Sequence, residues 1–371
     1  MQVINPFPVI DYISPEYFCD RAFETNKIIS AFENGRNVTL VSFRRMGKTG
    51  LIKHVFYNLK DRKNLKLIYV DLLKTENLSD LVKAFAEVLV KNEGQNFMKK
   101  LSALISGIRG KITFNEITGA PEVTFDYSPG VRETENSISK LFDFLAEQKE
   151  TYYIAFDEFQ QIVNYPEKNV EAVLRSYIQN QHKDHFIFSG SSQHILISMF
   201  NDYGRPFYQS SDILHLERLD KNTYIDFIHD QFLKRKKEID KSVVTEYVEL
   251  LDVYTFYVQY FFNRLFERSR KKITRKFADK VYSEILAEKE YIYIGYRSIL
   301  TKVQYSLLKA IAKEGGTDQP TSGEFMKKYN FLQPGTVSRA LNSLLTKEMI
   351  FKENETYRVY DLFLSKWLEN A

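Results

Sequence analysis

The chain of 371 residues holds a single cysteine, Cys19, so no disulfide can close within it, and the sequence suits a reducing cytoplasm. It also lacks an apolar run long enough to cross a bilayer without charge. Its start, MQVINPFPVIDYISPEYF, has no basic stretch ahead of an apolar one, the pattern of a secretory signal. The expectation is a soluble cytoplasmic protein with no membrane partner. A strong excess of one charge is missing too. With 52 Lys and Arg against 48 Asp and Glu, the net charge of +4 is too small over this length to argue for a polyanionic partner by itself. Internal repeats and low-complexity tracts are absent. What is present is an ordinary globular composition, 44% hydrophobic and 27% charged, at a length that implies two or three domains. The 29 Phe and 24 Tyr fall at buried periodicities and read as core rather than as stacking platforms for single strands.

Two periodicities alternate through the first part of the chain. NVTLVSF, LKLIYVDLL, TYYIAFDEF, HFIFSGSS and DILHLERL read as buried strands. Between them, TGLIKHVFYNLK, LSDLVKAFAEVLVKN, SISKLFDFLAEQ and VEAVLRSYIQNQ carry apolar residues at helical spacing, the second opened by a cap at Ser79 or Asp80. KITFNEITGAPEVTFDY alternates with period two around Thr118-Gly119-Ala120-Pro121 and reads as an inserted hairpin. Strands alternating with helices imply a parallel sheet covered on both faces, an α/β domain over residues 1–219. Residues 220–290 read almost entirely as helix and form a separate helical subdomain. Over 291–371, three helices are followed by a strand, a turn and a strand, the order of a winged helix.

The chemistry concentrates in VSFRRMGKTG, Val41 to Gly50, between a predicted strand and a predicted helix. Gly47-Lys48-Thr49 ends like a phosphate-binding loop, yet Ser42 stands where G-x-x-x-x-G-K-[ST] has its first glycine. Such a loop works because backbone N–H groups and the next helix's N-terminus surround phosphate oxygens, while the lysine reaches the β and γ phosphates and the hydroxyl meets Mg²⁺. Ser42 is tolerable if its backbone needs no positive φ, and Gly47 allows close approach to phosphate. Phe43, Arg44, Arg45, Met46 and Gly50 complete the candidate cofactor loop; the arginines could touch phosphate, pair with acids or face solvent. A second signal is YYIAFDEFQQ, an apolar strand delivering Asp157 and Glu158 at its C-terminal end, where open α/β sheets place ligands. Asp157 would hold Mg²⁺ with Thr49, and Glu158 would take a proton from the attacking water. The plain alternative for the acid pair is a helix cap with a solvated carboxylate.

The loop Ser42–Thr49 in its R-R-x-G-K-T form, F-D-E-F-Q at Phe156–Gln160 and FSGSS at Phe188–Ser192 together resemble the archaeal-type AAA+ ATPase family of archaea and Bacteroidetes-like bacteria. That family is related to the STAND class of P-loop NTPases. FCDRAFE resembles its entry segment, RPFYQSSDILHLERL the segment after its sensor strand, and FYVQYFFNRLF its lid helix, so the likeness covers nearly the whole chain. It implies an AAA+/ASCE-like three-layer core, a helical lid and a winged helix. Lys48 and Thr49 then match the Walker A lysine and hydroxyl, and Asp157 and Glu158 the Walker B acids. Ser191 or Ser192 matches the polar sensor, and Arg21 the arginine near the adenine. Arg205 is a candidate catalytic cation whose equal alternative is a structural ion pair. Two departures stand out: Ser42 for glycine, and VYTFYVQ without the His-Pro that many relatives carry before the lid helix.

The resulting reading is an ATPase using ATP and Mg²⁺ to drive or gate a conformational change, with ATP and ADP and a protein as partners. The rivals are a nucleotide-gated switch and a DNA-binding regulator, both with negligible turnover. On GTVSRALNSLLTKEM, Ser338, Arg339, Asn342 and Lys347 could face DNA with Lys352 in the wing, but Glu353 and Glu355 favour protein contact. The run RSRKKITRK, Arg268 to Lys276, could bind nucleic acid or be solvated surface. His182 and His185 of HKDH stand at a helical spacing without a third ligand, and Cys19 has no catalytic partner.

Overall fold

The computed structural model describes residues 5–93, 110–114, 121–125 and 131–370. The chain separates into two compact units, Ile10–Leu219 and a second made of Met1–Val9 with Asp220–Ala371.

The first unit runs α1 (Ala22–Glu33), β1 (Val38–Val41), α2 (Lys48–Leu59), β2 (Leu65–Asp71), α3 (Leu78–Glu93), β3 (Gly110–Phe114), β4 (Pro121–Phe125), α4 (Val131–Glu147), β5 (Thr151–Asp157), α5 (Val170–Gln179), β6 (His185–Gly190), α6 (Gln193–Asn201) and β7 (Asp212–His215). Five strands form one sheet in the order β2-β5-β6-β1-β7, every neighbour parallel. The sequence dictates this, because β1 and β5 are apolar and buried along nearly their whole length and so need cover on both faces. With β6 between β1 and β5, the loops leaving β1 and β5 open on one edge of the sheet, with the end of β6 between them.

The phenylalanines behave as core. Phe188 on β6 lies 4.7 Å from Phe159 and 5.0 Å from Phe200, ring centre to ring centre, directly below the acid-bearing end of β5. Truncating such a buried ring costs about 3–5 kcal/mol. The hairpin reading holds for its strands, since β3 pairs antiparallel with β4, while Thr118, Gly119 and Ala120 lie outside the described residues.

Two local expectations are corrected. Helix α3 is capped by Asn77, not by Ser79 or Asp80: the Asn77 Oδ1 accepts the Asp80 N–H at 2.9 Å, and the Asp80 carboxylate accepts the Glu76 N–H in return at 3.0 Å. Asn, like Ser and Asp, fits the cap, and the Asp80 carboxylate also accepts from the Asn77 side-chain amide at 3.1 Å, which holds the cap in place. His182 and His185 share no helix face. His182 is exposed in the bend before β6, and His185 opens that strand against Phe32 and Tyr153.

The second unit runs α7 (Lys221–Lys234), β8 (Glu238–Ile239), α8 (Lys241–Leu250), α9 (Thr255–Arg268), β9 (Lys272–Ile273), α10 (Arg275–Ile299), α11 (Lys302–Lys313), α12 (Gly323–Lys328), α13 (Pro334–Thr346), β10 (Ile350–Glu353), β11 (Thr356–Val359) and α14 (Leu362–Asn370). Asp220 caps α7, its carboxylate accepting the Thr223 N–H at 2.8 Å. Phe7 packs 5.2 Å from Phe232 and 5.8 Å from Phe262, which gives the N-terminal segment a place in this core. Three helices, α11 to α13, precede the antiparallel β10–β11 pair. Helix α10 runs unbroken through residue 290, and α14 adds an amphipathic helix whose Phe363, Leu364 and Leu368 are buried.

Candidate nucleotide site

The site is built at the end of β1. Ser42 is buried and keeps a negative φ, whereas Arg45 (φ 68°) and Gly47 (φ 93°) take the left-handed conformation. Backbone freedom is therefore needed at Gly47 and not at the position where the motif has its first glycine. Lys48 opens α2, so the free N–H groups of that helix end and its positive dipole end meet the loop. The lysine Nζ donates to Ser42 O, Ser42 Oγ and Phe43 O, each at 3.2 Å. Burial lowers its pKa to about 8, against the pull of Glu158 and Asp157 in the opposite direction.

Strand β5 delivers the acids. Asp157 is buried, and its Oδ2 accepts from Thr49 Oγ1 at 2.8 Å and from the Tyr69 hydroxyl at 2.6 Å. Its Oδ1 accepts from Ser189 Oγ at 2.5 Å and from the Glu158 N–H at 3.1 Å. Four donors from α2, β2, β6 and its own chain thus fix one carboxylate. Burial, then the charge of Asp157 and the hydrogen bond to it, push the Tyr69 phenol far up, so it stays a donor. Glu158 sits at φ 54°, and its Oε2 accepts from Ser191 Oγ at 2.7 Å, Ser191 N at 3.2 Å and Gln160 Nε2 at 2.5 Å. Ser191 Oγ in turn accepts from Arg44 Nε at 2.9 Å. A Cβ on Gly190 would stand 1.9 Å from Gln160 Oε1, so glycine there makes the room in which Gln160 reaches Glu158.

The residues singled out from the sequence are thus largely brought together: Ser42, Phe43 and Lys48 in one set of bonds, Thr49 with Asp157, and Arg44, Ser191 and Glu158 in another. Arg21 is buried and bridges backbone, donating to Met46 O at 3.5 Å and Glu217 O at 2.7 Å while pairing with Glu24 at 2.8 Å. It ties the start of α1 to the loop and to the segment after β7. Arg45 is exposed, Met46 is buried, and Gly50 lies within α2. Arg205 stands apart: its guanidinium pairs with Glu171 at 2.7 Å and, among the described residues, bonds neither to the loop nor to the two acids. Three contributors were missed, namely Tyr69, Ser189 and Gln160. The register pairs Asp71 with Asp157, which places Tyr69 two residues back on the neighbouring strand. A lone hydroxyl in that strand was the available signal.

The donors suit Mg²⁺. Thr49 and Asp157 offer hard oxygens 2.8 Å apart, and among the described residues no cluster of three or more His, Cys, Asp or Glu makes an all-protein cage. Mg²⁺ is typically held by one or two such groups together with phosphates and water.

The profile of a family described as an ATPase domain predominantly from Archaea matches residues 18–248, and that of a probable winged helix domain matches 291–370. The chain belongs to this archaeal-type ATPase family. ATP binding by an ATPase domain is therefore established at the level of the family, and the resemblance read from the sequence stands. No curated protein matches the chain significantly. Among solved structures, a Walker-type ATPase of Pyrococcus abyssi is similar at 19% identity and a TM-score of 0.66, covering 98% of this chain and 99% of the other. The Aeropyrum pernix ORC2 protein, in its ADPNP-ADP complexes, is similar at 15% identity and a TM-score of 0.60, covering 100% and 97%. The ORC1 protein of the same organism in complex with DNA reaches 15% identity and 0.51, covering 96% and 94%. These likenesses show the fold: a P-loop core on a parallel sheet, and a winged helix. Among the described residues, no helix of this archaeal-type ATPase is long and apolar enough to cross a membrane.

Proposed function

We propose that the protein binds ATP with Mg²⁺ and hydrolyses it slowly to drive or gate a conformational change. The observation that carries this is the 2.8 Å bond between Thr49 and Asp157, which joins the phosphate loop to the acid strand with Lys48 and Glu158 on either side. In this reading Lys48 leaves its three loop oxygens to meet the β and γ phosphates, and its charge is used where burial has made it costly to leave without phosphate. Thr49 and Asp157 hold the metal, whose chemistry is to neutralise charge gathering on the phosphate oxygens. Glu158 accepts the proton of the attacking water, its orientation set by Ser191 and Gln160. Ser191, between Arg44 and Glu158, is placed to report loop position to the base. Arg205 acts through the pair with Glu171, or on nucleotide if that pair opens. A core over 1–219, a lid over 220–290 and a winged helix over 291–371 are the parts we assign to this cycle. The cytoplasm is its proposed compartment.

A second reading, a nucleotide-gated switch with negligible turnover, is favoured by the saturation of Glu158 Oε2 by three donors. Phosphate release from Mg·ATP by the purified protein and by Glu158→Gln decides. Turnover lost in the variant supports hydrolysis; no turnover, with nucleotide retained through purification, supports the switch. For the winged helix we propose a protein partner. The ORC1 neighbour's DNA complex raises DNA as an alternative, but here the wing cations are compensated, Lys352 by Glu355 at 2.5 Å and Arg358 by Glu353 at 3.4 Å.

A further inference from the structure

We infer that the β8–β9 ladder, with the two helix ends that feed it, is a docking surface for the phosphodiester backbone of duplex nucleic acid. The inference is independent of ATP hydrolysis. Two basic runs far apart in sequence, Lys234 to Lys237 and Arg268 to Lys272, meet because β8 and β9 pair in parallel: Glu238 is in register with Lys272, and the Glu238 N–H donates to Lys271 O at 2.7 Å. Adjacent strands lie about 4.8 Å apart, so charges more than thirty residues apart in the chain become neighbours.

The platform is fixed from beneath. Ile239 and Ile273 are 5% and 1% exposed, and Lys237 donates to Ser269 O at 2.7 Å and lies 4.0 Å over the Phe266 ring. Lys237 thereby pins the end of α7 to the end of α9 and is spent on structure. Other local cations are compensated by acids: Arg268 by Glu284 and Glu288, Arg275 by Glu246 and Lys241 by Asp226. Lys234, Lys236, Arg270, Lys271, Lys272 and Lys276 are exposed and, among the described residues, have no ion pair. The nearby acids are fewer than these six cations: Glu238, Asp240, Asp230 one turn before Lys234, and Asp279 one turn after Lys276, with Glu267 already on Arg264.

Helix C-termini attract cations, but that effect is confined to the last turn and worth about 0.3–1 kcal/mol, so it accounts for Lys234 and not for the ladder. A chain whose net charge is only +4 has concentrated unpaired cations on one rigid surface. The partner's chemistry follows. The unpaired cations are five lysines and one arginine, mostly point charges suited to phosphate, and with no Asn or Gln in the runs guanine is the base edge they could read, which puts phosphates first. Ile239 and Ile273 turn inward, and Leu233 on the last turn of α7, 48% exposed, is a single apolar side chain where an interfacial helix presents a whole apolar face, which argues against a lipid surface.

The test uses the full chain and a short, fluorescently labelled random-sequence DNA duplex, with anisotropy followed across a salt series. The triple variant Lys236→Gln, Lys271→Gln, Lys272→Gln is compared with Arg339→Gln, Lys347→Gln in the winged helix. All these side chains are exposed, and equal melting temperatures confirm folding. The expected result is weakening of about tenfold or more in the triple variant, with the slope of log affinity against log salt shallower by about 2 to 3. An unchanged triple variant, loss confined to the winged-helix variant, or no duplex binding at all overturns the inference. Binding to phosphatidylserine vesicles without binding to duplex also overturns it, in favour of a membrane.

Discussion

The acid end of β5 and the β8–β9 ladder treat charge in opposite ways. Around Asp157 and Glu158 the polar groups answer one another, with four donors on the first carboxylate and three on a single oxygen of the second. Around the ladder, exposed cations gather with no ion pair among the described residues, although Glu238 stands in register with Lys272. Buried charge has to be satisfied within the fold, because a bare carboxylate away from water is costly. Exposed charge is left to solvent and to whatever anion arrives. A mutation in the first region should therefore act through geometry and be steep, while one in the second should act through salt-dependent affinity and be graded.

The steepest expected effect tests the first half of that contrast. Glu158→Gln keeps shape and hydrogen-bonding reach but cannot take a proton, so turnover should fall by about 10²–10⁴ while ATP affinity stays within about threefold. Lys48→Ala should instead lose affinity for ATP. Phosphate release and nucleotide titration on the same samples separate the two. Equal loss of affinity in both variants would mean that Glu158 holds the loop and does no chemistry.

Geometry should show itself next as coupling. Gln160→Ala removes the amide donor from Glu158, and Gly190→Ala drives a methyl into the space that amide occupies. Each should lower turnover by about tenfold, in line with losing a hydrogen bond to a charged group. Because the two act through one contact, the double variant should be no worse than the poorer single one. Additive losses would show that Gly190 matters for another reason.

Much of this architecture was legible in the sequence. Short continuous apolar strands, helices at their own period and GKT between the first such pair were enough to place Lys48, Thr49, Asp157 and Glu158 on one edge of a sheet. What could not be read was whatever depends on which strands are neighbours. Tyr69 and Ser189 reach Asp157 from the strands flanking β5, and nothing local in LIYVD or FIFSG announces that contact. The basic ladder was hidden for the same reason, since its two runs touch only through a parallel pair of two-residue strands. Asn77 was missed differently, as one of several adjacent side chains able to cap and separated from its neighbours only by where α3 begins.

A gentler effect comes from pH. Burial holds the Lys48 pKa down to about 8, while phosphate favours the charged form, so binding takes up a proton once the free lysine has begun to lose its own. ATP affinity should weaken by about threefold between about pH 7.5 and 8.5. Stability without nucleotide moves the other way. The unfolded lysine holds its proton to about 10.5 and the folded one only to about 8, so the penalty of burying the charge is fully present below the lower value and relieved as pH climbs between them. Melting curves and titrations across this range should therefore slope in opposite senses, and parallel slopes would show that another group governs both.

The smallest effect is expected where the motif looks most damaged. Because Ser42 already has a negative φ, Ser42→Gly gives the loop no conformation it lacked. It does remove one of the three oxygens on the Lys48 Nζ, at 3.2 Å, and frees a backbone that must be ordered again on folding. The variant should lose about 1 kcal/mol of stability while ATP affinity and turnover change by less than about threefold, since the lysine leaves that oxygen for phosphate in the proposed bound state. Thermal melting and phosphate release measure the two sides. A marked gain in turnover would mean that serine brakes the loop, and the glycine missing from VSFRRMGKTG would then be a regulatory choice rather than a neutral replacement.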